Sequence, residues 1–146
     1  MQALETLKAT GQVNIDITRA DGTKESIDIK NLVVTTGLNY IVSRMKDATA
    51  TAMSHMAIGS GSTAAAAGNT ALGTELGRVA LTSSTVSTNT IQYVASFPAG
   101  TGTGNVTEAG ILNAASAGTL LCRTVFGLVT KDAGDSMTIT WTVTVA

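Results

Sequence analysis

Hydrophobic and polar residues alternate with a period of two along most of the chain. Over 11–20, Val13, Ile15 and Ile17 alternate with Asn14, Asp16 and Thr18, the pattern of a strand with one face on a core. Asp21-Gly22 is a turn dipeptide, and the alternation resumes over 23–30 with Ile27 and Ile29 on one side. The two runs predict a β-hairpin. Its polar face is expected to carry Asp16, Arg19, Lys24, Glu25 and Asp28, and to meet water or a polar docking partner. After Asn31 the period changes. Leu38, Ile41, Val42 and Met45 stand at i, i+3, i+4 and i+7, which predicts a helix over 36–46, with Gly37–Lys46 as its body and this stripe facing the core. Arg44 and Lys46 sit at its C-terminal end, where cations suit the helix dipole.

Residues 47–53 read as a loop, and beyond them the chain is nearly all strand and turn. Strands are predicted at 55–58, 78–87, 90–97, 105–112, 119–130 and 136–145, with small-residue loops at 59–70, 98–104 and 113–118. The last strand has the strictest alternation: Met137, Ile139, Trp141, Val143 and Val145 against Thr138, Thr140, Thr142 and Thr144. It is expected at the centre of its sheet, with Trp141 as the core anchor burying roughly 200 Å². Seven or eight strands with Gly-rich turns predict a mainly β protein: a single jelly-roll-like β-sandwich over 11–146 with one covering α-helix. Residues 1–10 precede the first patterned strand and read as an N-terminal arm.

Composition sharpens this picture. The chain has 146 residues, which fits one domain, and only 13% are charged, about half the usual share. Aromatics are 3%, so the core must be built from Val, Ile, Leu, Ala and Met. Charge is unevenly placed. Residues 51–146 hold four acids (Glu75, Glu108, Asp132, Asp135) and three bases (Arg78, Arg123, Lys131). So sparse a set suits a surface covered by copies of itself or by partners, and a homo-oligomer is expected. Nine Lys and Arg with a formal net charge of −1 exclude a nucleic-acid binder that works by neutralising phosphates. One Cys and one His allow neither an internal disulfide nor a structural zinc site, and no cofactor is expected. No apolar run approaches the roughly 18 residues of a membrane span. MQALETLKAT lacks the apolar core of a signal peptide, so synthesis in the cytoplasm without export by that route is expected.

The inventory for catalysis is poor. His55 lies in a short strand, no G-x-S-x-G elbow occurs, and Cys122 sits in the apolar run LLCRT. GSGS at 59–62 resembles a phosphate loop, but no Walker lysine follows it. Asp132 and Asp135 share a turn too poor in oxygens for calcium. Glu75, Arg78, Glu108 and Arg123 are isolated charges among small and apolar neighbours. They are expected to be partly buried and paired, within the chain or across a subunit boundary.

Five segments, taken in order, carry a resemblance: Ile58–Thr63 (IGSGST), Thr70–Arg78 (TALGTELGR), Glu108–Asn113 (EAGILN), Gly118–Phe126 (GTLLCRTVF) and Asp135–Trp141 (DSMTITW). Together they make residues 32–146 resemble a family of small virion proteins of tailed bacteriophages, described as head decoration proteins or as tail-fibre-like proteins. The resemblance implies a non-enzymatic virion component and carries no catalytic residues. A capsid decoration or cement protein that binds and stabilises the major capsid shell is the first expectation, because no fibrous repeat is present. A small tail-fibre, collar or adaptor component is the second. A small hydrolase is a remote third.

Overall fold

The computed structural model describes residues 6–46 and 50–146. The chain runs β1 (Ala9–Thr18), β2 (Lys24–Lys30), β3 (Leu32–Val33), α1 (Thr35–Ser43), β4 (His55–Gly59), β5 (Glu75–Ala80), β6 (Ser83–Ser87), β7 (Thr90–Phe97), β8 (Gly104–Leu112), β9 (Leu120–Lys131) and β10 (Ser136–Val145). The strands form two five-stranded antiparallel sheets, ordered β2-β1-β10-β7-β6 and β3-β9-β8-β4-β5. Sequence neighbours pair as hairpins within one sheet, and the chain crosses between sheets after β2, β5, β7 and β9. The result is a mainly β, sandwich-like arrangement with one helix.

The strict alternation of β10 places it centrally, since both of its edges are paired. Trp141 faces Val13 of β1 on one side and Tyr93 of β7 on the other. Its side chain is fully buried among Ile15, Phe97, Met56, Ile58, Ile111 and Ile139. A smaller cluster of Val34, Ala57, Leu112 and Leu120 lies on the other side of the second sheet, where Leu72 packs over it. Both faces of that sheet are therefore covered, which explains the near-continuous apolar reading of β4, β8 and the first half of β9.

Several sequence expectations are corrected. The helix starts one residue earlier than predicted, at Thr35, and ends three residues earlier, at Ser43. It is also rotated, so that Ile41 alone of the predicted stripe packs on the core. Leu38, Val42 and Met45 are exposed, while Gly37 is buried and Tyr40 and Ile41 pack on the core. A Cβ on Gly37 would lie 1.9 Å from the carbonyl oxygen of Leu121, so the bare glycine lets the helix rest directly on β9. The single strand expected at 78–87 is two strands in different sheets, because the chain changes sheets at Leu81-Thr82. β1 begins at Ala9, inside the expected arm, and the backbone of Lys8 already pairs with Ala146. Residues 1–5 of that arm and 47–49 of the predicted loop lie outside the described residues.

The polar face of the first hairpin is also rearranged. Asp16, Lys24 and Asp28 share the outer face of the first sheet with Asn14, whose amide bonds Asp28 at 2.9 Å. Arg19 and Glu25 are not on that face. Glu25 stands opposite Ile17, on the inward parity, and Arg19 reaches past the strand end to pair with Glu25 and Asp135, both at 3.0 Å. Gly22 supplies the left-handed backbone (φ 88°) of the turn between them.

Candidate functional site

The most developed polar site lies on the outer side of the second sheet. In β8, Glu108 stands beside Gly59 of β4 on one side and Val125 of β9 on the other. The chain between β4 and β5, residues 60–74, folds back over it. The Glu108 carboxylate then accepts three backbone hydrogen bonds. Gly61 N–H and Thr74 N–H reach Oε1 at 2.8 Å, and Gly73 N–H reaches Oε2 at 2.9 Å. Arg123 of β9 completes the ring, with Nε donating to Oε2 at 2.9 Å and Nη2 lying 2.8 Å from it. The rest of the Arg123 fork holds the same loop, through the Asn69 side chain at 3.0 Å and the Thr63 carbonyl at 3.1 Å.

Both side chains are sealed from solvent, at 0% for Glu108 and 3% for Arg123. Burial alone would raise the Glu108 carboxyl above its ordinary range. The bonds from Thr74, Gly73, Arg123 and Gly61 outweigh that and hold it below. Glycine is required by close approach: a Cβ on Gly59 or Gly61 would lie 2.6 or 2.5 Å from Oε1. The segment that reads like a phosphate loop gives one amide, that of Gly61, to an anion cradle completed by Gly73 and Thr74, and the anion is the protein's own carboxylate.

Glu75 and Arg78 form a second, more exposed pair on β5. Two bonds join them, Nη2 to Oε1 at 2.6 Å and Nε to Oε2 at 3.1 Å. Arg78 also donates to the carbonyls of Ala114 and Ala117, both at 2.9 Å, and so fixes the turn after β8. Glu108, Arg123 and Arg78 therefore tie loops to the second sheet, Glu75 holds Arg78, and each pair lies within one chain.

A third cluster went unread in the sequence. Asp135 is buried and accepts from Asp132 N–H, Ala20 N–H and the Arg19 guanidinium. These bonds, that of Asp132 first, hold its carboxyl below the usual range. Lys131 is fully buried, and its ammonium donates to the carbonyls of Pro98 at 3.0 Å and Asp135 at 2.7 Å. Burial lowers its proton affinity, only partly offset by Asp135. The K-D-x-x-D spacing was the available signal; it encodes a turn that clamps itself and the β1–β2 hairpin.

No family model, curated protein or solved structure matches the chain. The chemistry of the remaining candidates follows from placement alone. His55 Nδ1 lies 2.8 Å from the hydroxyl of its own neighbour Ser54, a local contact with no carboxylate behind the ring among the described bonds. Cys122 is buried, and burial pushes its thiol far above the reactive range. Among the described residues no group of three His, Cys, Asp or Glu side chains converges to hold a metal. Among the described residues no helix is long and apolar enough to cross a membrane. The polar sites found here are saturated internally, and the work they do is to fix loops.

Proposed function

We propose that the protein is a structural component of a tailed-bacteriophage virion, made in the host cytoplasm, and that it acts as a capsid decoration or cement protein on the major capsid shell. It acts by adhesion and has no turnover. The supporting observation is the convergence of the segments that carry the resemblance. Ile58–Thr63 supplies Gly61 and Thr63, Thr70–Arg78 supplies Gly73 and Thr74, Glu108–Asn113 supplies the carboxylate, and Gly118–Phe126 supplies Arg123. Four of five separate segments thus meet in one buried cradle, while the fifth contributes Asp135 and Trp141. These segments, separate in the chain, are one physical unit in the fold.

The surface suits adhesion. The outer face of β10 is a column of Thr138, Thr140, Thr142 and Thr144, side chains already stiff at χ1 that lose little freedom on contact. The test is co-sedimentation with purified phage heads and, separately, with purified tails. The protein is expected to pellet with heads up to a fixed stoichiometry and to raise the temperature at which they rupture. Pelleting with tails alone would make it a tail-fibre, collar or adaptor component, and binding to neither would overturn the virion reading.

A further inference from the structure

A sandwich of two open sheets has four edges, and an unguarded edge is a template for another strand. Three of the four are guarded here. β2 carries Lys24, Glu25, Asp28 and Lys30 within seven residues. β3 is only two residues long. β5 carries the Glu75–Arg78 pair and an irregular register against β4. β6, with the sequence SSTVS, has none of these devices. It pairs with β7 in unbroken register, every residue in it is exposed, and among the described residues its other side meets no strand. Residues 79–107, which contain the whole β6–β7 hairpin, hold no charged side chain at all.

The hairpin geometry shows which groups this edge presents. Thr88-Asn89 is a two-residue loop, so Ser87 and Thr90 form the hydrogen-bonded closing pair. Hydrogen-bonded and non-hydrogen-bonded pairs then alternate along the ladder. Ser83, Thr85 and Ser87 therefore turn their backbone groups toward β7, and Ser84 and Val86 turn theirs outward. Val86 is 71% exposed, an apolar side chain on the inward parity of an edge strand with nothing beyond it.

We propose that the β6 edge pairs with β6 of a second copy of this chain, antiparallel about a two-fold axis through Thr85, joining the two first sheets into one. This specifies the homo-oligomer expected from the sparse charge of the sequence and needs no virion partner. The two-fold register places Ser84 opposite Val86 of the partner subunit as a hydrogen-bonded pair, and Val86 opposite the partner's Ser84. Thr85 meets the partner's Thr85 as the closer, non-hydrogen-bonded pair. An edge that meets itself is intolerant of charge, because each charge is brought close to its own copy, and this edge has none. The alternative pairing, β6 on the partner's β2, would run head to tail without closing. The four charges of β2 oppose it.

The test uses the intact chain with Thr85→Cys. Non-hydrogen-bonded antiparallel pairs bring Cβ atoms close enough for a disulfide, and the one native cysteine, Cys122, is buried. Mild oxidation is expected to convert Thr85→Cys to a covalent dimer. Ser83→Cys, which the register places opposite Ser87 of the partner subunit, and Ser26→Cys on β2 should stay monomeric on denaturing gels. Thr85→Lys should shift the sedimentation of the chain from dimer to monomer with an unchanged circular dichroism spectrum. A monomeric wild type overturns the proposal. A dimer that survives Thr85→Lys, with Thr85→Cys cross-linking no faster than Ser26→Cys, also overturns it and places the contact elsewhere. Neither result bears on head binding, which co-sedimentation reads separately.

Discussion

Glu108→Gln and Arg123→Met, made singly and together, test the cradle. The bonding pattern gives the expected magnitudes. Gln keeps one carbonyl oxygen, which serves the donors now on Oε1, Gly61 and Thr74. Its amide group replaces Oε2 and faces Gly73 N–H and Arg123 Nε–H, donor against donor. Leaving Arg123 buried without a counter-charge costs about 3–5 kcal/mol, and the orphaned Gly73 N–H about 1–3 kcal/mol more. Arg123→Met leaves a buried carboxylate with its three backbone donors but no cation, again a loss of about 3–5 kcal/mol. In the double variant no uncompensated charge remains, and the main residual cost is the Gly73 N–H. The double change should therefore cost less than either single, and less than their sum by at least about 3 kcal/mol. Urea unfolding followed by the fluorescence of Trp141, the single tryptophan and wholly within the core, reads all four states.

The pH dependence gives an independent check. The folded Glu108 carboxyl titrates below its ordinary value of 4.5. Its charged form stabilises the fold above that value, and the stabilisation is lost as pH falls through the folded value. The stability gap between wild type and Glu108→Gln should be full at neutral pH and should narrow below about 4.5. A cycle additive within about 0.5 kcal/mol, or a gap that acid leaves unchanged, would refute the reasoning and leave Glu108 and Arg123 as independent side chains.

Trp141→Ala should cost about 3–5 kcal/mol in the same assay, and Trp141→Phe much less, because the indole N–H meets no protein acceptor; a loss below about 1 kcal/mol for Ala would take Trp141 out of the core. Thr88 holds φ at 52°, so Thr88→Gly should raise the melting point, worth up to about 1 kcal/mol; a lower melting point would show that the turn is unstrained. Binding to phage heads should survive moderate salt, since residues 51–146 offer few charges to screen. Release by salt would instead make Asp16, Lys24 and Asp28 of the first hairpin the docking surface.

Much of the architecture was legible because alternation reports burial directly, and β10, with its Thr column facing out, is the clearest case. The helix was found but its buried face was only partly read, Ile41 being on the core and Leu38, Val42 and Met45 not, for a definite reason. Hydropathy ranks Leu38, Val42 and Met45 above Gly37 and Tyr40, yet the closest contact with β9 is made by the residue with no side chain. A glycine at a packing contact leaves no hydrophobic signal. The sheet change at Leu81-Thr82 was equally silent, since neither Gly nor Pro marks it. Arg19 and Glu25 were assigned to the outer face by composition, although Glu25 stands opposite Ile17, and the partner that draws Arg19 inward, Asp135, is more than a hundred residues away in the chain.

The cradle shows the limit of motif reading most clearly. A glycine-rich loop with several amides turned to one point is an anion receptor whatever the anion is. The loop from Gly61 to Thr74 therefore encodes a receptor and says nothing of its ligand. Here the ligand comes from Glu108, 47 residues beyond Gly61, and the strand register that places it cannot be inferred from the loop. An external phosphate would leave the loop free to open when the ligand departs. A tethered carboxylate, backed by a buried arginine that also grips Thr63 and Asn69, gives an anion that never dissociates. The same chemistry that makes a binding site in an exchangeable loop makes a permanent fastening here.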